Sequence, residues 1–207
     1  MNFERASLKL FLANGGSALV MFIGIRHFAI RVGPATLGIF FLYQAVIRML
    51  SIPANFGLRG AVEKRISEGD DKGRFLSTVV ILKFSLLAVL GVILFIFRPY
   101  LNGYIGSNVT TLVIIGLFLR EGSILTEFVL RGELRVGETA TLQFLRQITW
   151  VVVGAILVSY GLESRALILG LLAGFVVSFL LGVLKISIRP SVPSMKQAKS
   201  LLNYGKY

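Results

Sequence analysis

The chain has 207 residues, 55% of them hydrophobic and only 15% charged, with a mean hydropathy of +0.80, whereas an ordinary soluble domain carries about 25% charged residues. That balance argues against a water-soluble core. The formal charge of +12 would suit nucleic acid, yet the basic residues flank apolar segments and do not gather on one polar stretch, so membrane topology accounts for them and no nucleic-acid partner is expected.

The first apolar segment runs over residues 8–30 and carries Gly15, Gly16 and Ser17, small residues that let another helix approach closely. A cleaved signal peptide is disfavoured. The apolar run is too long, no small-residue cleavage site follows it, and further spans come after. Arg26 and His27 lie near its outer end and can snorkel outwards, the alternative being a cavity role for Arg26 and a proton-switch role for His27. Gly33-Pro34 breaks the helix, and a second span is predicted over residues 35–56.

The segment Glu63 to Arg74 mixes both charge signs with Gly69 and Gly73, and reads as a solvated amphipathic connector. A third span is predicted over residues 75–97, ended by Arg98-Pro99. After the polar turn Asn102-Gly103, a fourth covers residues 107–130. The fifth and sixth lie near residues 142–160 and 165–184, joined by a linker short enough to demand an antiparallel hairpin. Residues 1–190 thus make one six-span bundle, and 191–207 read as a basic tail. The fold expected is an all-α, polytopic bundle of about six transmembrane helices.

Of the 22 Lys and Arg residues, fifteen fall near span ends on one side and four on the other, namely Arg26, Arg31, Arg98 and Arg165. The excess marks the cytoplasmic side, which places both termini in the cytoplasm and the protein in the cytoplasmic membrane. Three cations remain within spans: Arg48, Lys83 and Arg120. Lys83 is expected to snorkel back to the headgroups from a position two turns into its span. An arginine at membrane depth costs at least ~2.5 kcal/mol on insertion scales, so it faces a hydrated cavity or a charged partner.

Gln44, Arg48, Ser51 and Asn55 recur at offsets that share one side of a helix otherwise apolar, with Pro53 set to kink it. Such a stripe belongs inside the bundle. Arg120, Ser123 and Glu127 form a second stripe, with Glu121 adjacent; here a fixed structural ion pair competes with substrate contact. Gln143, Arg146 and Gln147 share a face at the start of the fifth span and read as a headgroup-level anchor. Trp150, Tyr100 and Tyr104 suit interface or packing positions. With no cysteine, one histidine, and no phosphate-cradling loop or nucleophile elbow, no metal site, cofactor or enzyme chemistry is expected.

Residues 33–69, GPATLGIFFLYQAVIRMLSIPANFGLRGAVEKRISEG, carry a Gly-Pro entry, "LGIF" at Leu37 to Phe40, an "N-x-G-L" turn at Asn55 to Leu58 and "R-I-S-E-G" at Arg65 to Gly69. With LRGELRV at Leu130 to Val136, this resembles the polysaccharide biosynthesis exporters, or Wzx-type oligosaccharide-lipid flippases of the MATE-like superfamily. Members of that family have about twelve or more spans in two bundles, so the chain resembles an N-terminal half, and the resemblance makes residues 191–207 the start of a second bundle as the alternative to a tail. The resemblance implies translocation of a lipid-linked oligosaccharide diphosphate across the cytoplasmic membrane by alternating access, in contact with membrane lipids and with a second half or a second copy as partner. Arg48, Gln44, Ser51, Asn55, Arg26 and Arg120 are the candidate substrate-binding residues, Arg48 first, because guanidinium forks suit phosphate oxygens. The alternatives are a non-transporting or truncated membrane scaffold in glycan assembly, a cation-coupled small-molecule exporter, and an integral membrane glycosyltransferase. Two deep arginines disfavour the exporter, and the lack of an extended acidic loop disfavours the glycosyltransferase.

Overall fold

The computed structural model describes the backbone of residues 3–55, 58–69 and 71–193, with side chains from residue 15 onward within those segments. Among the described residues there are seven helices and no strand: α1 (Phe3–Asn55), α2 (Leu58–Glu68), α3 (Lys72–Ile96), α4 (Arg98–Ile105), α5 (Thr110–Gly132), α6 (Val136–Ser159) and α7 (Glu163–Lys185). Most of the expected basic tail lies outside the described residues, as do the side chains of Arg5 and Lys9.

The first two predicted spans form α1, whose one non-helical residue is Gly33 at φ 79° and ψ 169°, a conformation essentially confined to glycine. The limb before Gly33 runs parallel to α6: Gly16 faces Phe144, Gly24 faces Val151, and Phe28 faces Gly154. The limb after it runs parallel to α5, with Tyr43 and Ile47 against Gly116 and Ser51 against Arg120. Because Glu127 meets Gln143 while Ser123 meets Arg146, α5 and α6 are antiparallel. The limbs of α1 are therefore antiparallel too. The Gly-Pro break is real, but it is a full reversal about one residue and not a loop.

The same reasoning sets the other directions. Lys83 meets Glu121 and Gly91 meets Ile114, so α3 opposes α5; Gly170 meets Gly154 and Gly174 meets Arg146, so α7 opposes α6. Six rods alternate up and down. The described part of α1 (Gly15–Asn55), α3, α6 and α7 are long and apolar enough to cross a bilayer. Their exposed residues include Phe22, Ile23, Val89, Ile96, Val152 and Leu180, while Lys83, Glu121, Ser123, Glu127 and Ser178 are buried. Apolar outside and polar inside is the pattern of a multi-pass membrane protein, in which lipid replaces water as the outer solvent. α5 carries Arg120, Glu121 and Glu127 and touches α1, α2, α3, α6 and α7, so it is the charged axis of the bundle.

Two connectors differ from expectation. The connector Glu63 to Arg74 is amphipathic but not merely solvated: its Ile66, with Leu58, Ala61 and Val62 just ahead of it, is buried beside Phe75, Val79, Leu125 and Val129, which docks α2 against α3 and α5. Apolar residues at i, i+3, i+4 and i+8 gave it a packing face that its charges obscured. Arg98-Pro99 does follow the end of α3, but the residues after it form the short helix α4, with Pro99 in a first turn where proline is tolerated, and the turn falls at Gly106 in the left-handed region and not at Asn102-Gly103. Asn102 is helical, and its Oδ1 accepts from the Val109 and Thr110 amides, capping the start of α5.

α6 and α7 pack most closely. A Cβ on Gly170 would lie 2.8 Å from the Gly154 amide nitrogen and the Trp150 carbonyl oxygen, and one on Gly174 would lie 2.6 Å from the Arg146 carbonyl oxygen. Glycine lets the two backbones touch, as at small-residue interfaces between membrane helices. Where α6 starts and α7 ends, Lys185 pairs with Glu138 at 2.8 Å, and Arg135 pairs with Glu133 and Glu138. Trp150 fills the centre: it stacks on Phe40 at 5.4 Å, abuts Phe28 at 5.5 Å, and donates from Nε1 to the Leu167 carbonyl.

Candidate functional site

A cavity of about 200 Å³ opens between α1, α5, α6 and α7, lined by Met21 and Ile47 on the α1 limbs, by Gln44, Arg48, Arg120, Arg146, Gln147 and Trp150, and by Phe175 on α7. Three guanidinium groups therefore share one opening inside a bundle whose outer face is apolar. Arg48 is presented by the returning limb of α1, Arg120 by α5 and Arg146 by α6.

Each arginine is tethered to protein through one terminal nitrogen. Nη2 of Arg48 donates to Gln44 Oε1 at 3.2 Å. Nη1 of Arg120 donates to Ser51 Oγ and, at 2.8 Å, to Glu121 Oε1. Nη1 of Arg146 donates to Glu127 Oε1 at 2.7 Å and to Ser123 Oγ at 3.5 Å, with the guanidinium over the Phe175 ring. Nε and the other terminal nitrogen of all three donate to no described residue. In Arg120 and Arg146 the free Nε and Nη2 are the parallel N–H groups of the fork that binds carboxylate or phosphate by two hydrogen bonds, whereas the free Nε and Nη1 of Arg48 point to different sides and offer single bonds. Chemically, the opening is a receptor for an oxyanion.

The acids behind this wall are buried. Glu121 is 0% exposed and takes Lys83 at 2.7 Å, Arg120 at 2.8 Å and Arg59 at 2.9 Å. Glu127 takes Arg146 and also accepts from Gln143 Nε2 at 2.8 Å. Ser123 Oγ bonds Ser178 Oγ at 2.9 Å, which ties α5 to α7 beside Arg146. Two carboxylates face five cations when Arg48 is counted. The opening thus carries an excess of positive charge, which an anionic ligand would balance.

Of the six residues expected at a binding site, the structure gathers four. Gln44, Arg48 and Arg120 line the cavity, and Ser51 stands behind it, accepting from Arg120 while donating to the Ile47 carbonyl at 2.8 Å. Asn55 lies below, with Oδ1 buried and no partner among the described residues. Arg26 is exposed on the outer part of α1 and does not line the cavity. Lys83 does not snorkel: its side chain is 1% exposed and bound to Glu121. Because α3 starts at Lys72, Lys83 sits three turns in, beyond easy reach of the headgroups and opposite an acid.

Residues 5–205 match the family of polysaccharide biosynthesis proteins. The chain belongs to that family. It is 47% identical over 207 residues to the probable low-salt glycan biosynthesis flippase Agl15 of Haloferax volcanii, covering 100% of this chain and 44% of that relative. It is 31% identical over 206 residues to the probable flippase AglR of the same organism, covering 98% of this chain and 43% of the relative. The chain thus spans less than half the length of these curated relatives. No solved structure matches it.

In this family member, Arg146 and Gln147 line the cavity and not the headgroup level that the sequence suggests. Starting the fifth span at residue 142 put Arg146 near the headgroups, whereas α6 starts at Val136 and carries it ten residues, about 15 Å, along the helix. The available signal was the pairing potential of Glu127 with a cation on the next helix.

Proposed function

We propose that this chain is one bundle of a flippase that moves a lipid-linked oligosaccharide from the cytoplasmic to the outer leaflet by alternating access, with no covalent step. The observation that carries this reading is the trio of half-free guanidinium groups at one opening within apolar helices. A phosphate or diphosphate joined to sugar cannot cross hydrocarbon unaided, and Arg120 and Arg146 offer its oxygens forked donors, with single charged donors from Arg48, away from lipid. Gln44 and Gln147 are placed to bond sugar hydroxyls or further phosphate oxygens. Names of the relatives, both probable flippases, support the same class.

The six alternating rods are the six spans, with both termini cytoplasmic as the Lys and Arg bias requires. In that orientation Arg120 lies twelve residues above the cytoplasmic end of α5, about 18 Å, near the middle of a ~30 Å hydrocarbon core. The cavity is open on one side, and a second bundle, either a further half or another copy of this chain, closes it. The test is glycan export in cells that depend on this protein together with its partner bundle. Arg48→Ala should abolish export while leaving the membrane level of the protein unchanged; export at the wild-type rate would refute the anion site.

A further inference from the structure

Glu121 and Glu127 both hold a cavity arginine, but their surroundings differ in one decisive respect. Among the described residues Glu127 has a single cation, Arg146, helped by the neutral Gln143. Glu121 has three: Arg120 and Arg59 share Oε1, and Lys83 pairs with Oε2. Pulling Arg146 away would strand a buried carboxylate against an amide. Pulling Arg120 away leaves Glu121 still bound by two cations from α2 and α3. Breaking a buried pair is costly because it exposes an uncompensated charge, and only at Glu121 is that cost averted by neighbours already in place.

We propose that Glu121 is a positioning residue that parks Arg120 on the cavity wall and releases it to an anionic ligand, Lys83 and Arg59 keeping the carboxylate neutralised after Arg120 has left. Arg146 is then the fixed arm of the site and Arg120 the moving one. The proposal rests on the reading of the cavity as an anion site. It adds that ligand capture is felt at Arg59 on α2 and at Lys83 on α3, because those two cations tighten on Glu121 as Arg120 departs.

Trp150 is the one tryptophan of the chain and lines the cavity, so its fluorescence reports occupancy. The experiment titrates inorganic pyrophosphate into the purified full chain and into Glu121→Gln, Arg120→Ala and the double variant. Removing the competing carboxylate should tighten binding about tenfold when Arg120 is present and by less than about twofold in the Arg120→Ala background, the non-additivity of a double-mutant cycle. Equal tightening in both backgrounds would mean that Glu121 acts only through its field, and no tightening in either would mean that it does not restrain Arg120. Each result overturns the proposal while leaving the anion cavity standing. Absence of pyrophosphate binding by the wild-type chain would remove the anion-site reading and this proposal together. If Glu121→Gln does not fold, Lys83→Met takes its place with the opposite sign: Glu121 then grips Arg120 harder, and binding should weaken about fivefold with Arg120 present and hardly at all without it.

Discussion

Lys83 Nζ lies 2.7 Å from Glu121 Oε2, joining α3 to α5 through two side chains that are both almost wholly buried. Neither is tolerable alone at that depth. Glu121→Ala would leave Lys83, Arg59 and Arg120 converging on nothing, and should destabilise the bundle by about 3–5 kcal/mol. Thermal unfolding in detergent would record a large drop in Tm. Adding Lys83→Met to that variant should recover part of the loss.

Arg48 should behave in the opposite way. It is exposed and bonded to one neutral partner, Gln44, so Arg48→Ala is expected to change stability by no more than about 0.5 kcal/mol. Any loss of export in that variant, measured beside an unchanged melting curve, belongs to the ligand and not to the fold.

Gly33 has open space around it, so crowding does not dictate its identity. Its φ of 79° with ψ of 169° does. Gly33→Ala should cost about 1–3 kcal/mol through backbone strain alone, read as a lower Tm with no change in the oxyanion affinity of folded protein.

At Gly170 the constraint is space. A Cβ there would meet the backbone of Gly154 and Trp150 at 2.8 Å, so Gly170→Ala should push α6 from α7 and destabilise by about 1–3 kcal/mol. Because Trp150 is displaced with α6, a shift in its emission maximum should accompany the lower Tm.

The proposed orientation is open to direct labelling, since the chain contains no cysteine. Asn108→Cys, in the exposed turn before α5, should react with an impermeant maleimide in intact cells; Ser67→Cys, exposed on α2, should react only after permeabilisation. The reverse result would invert the topology.

The rods themselves were legible in the sequence because their periods and punctuation agree. Long apolar runs, Gly33-Pro34 and the short linker at Gly161 each fix a local geometry whatever surrounds it. The stripe of Gln44, Arg48 and Ser51 was legible for the same reason, since one helix decides which of its own residues share a face. Pairings between helices were not. Whether Lys83 snorkels or meets Glu121, and whether Arg146 anchors at the headgroups or enters the cavity, depends on which rods adjoin and at what height. Helix starts misplaced by three to six residues moved both to the wrong depth.

The glycine seam and the Lys185–Glu138 contact fasten α6 to α7 at two heights. Such a pair resists sliding and bending, a single stiff lever to which Arg146 belongs and which Glu127 and Ser123 hold to α5. Any rocking that exposes the pocket first to one leaflet and then to the other has to be taken up elsewhere, and the one-residue fold-back at Gly33 is the obvious pivot. Stiffening that pivot, not the lever, is where a conformational lock on this protein should be engineered.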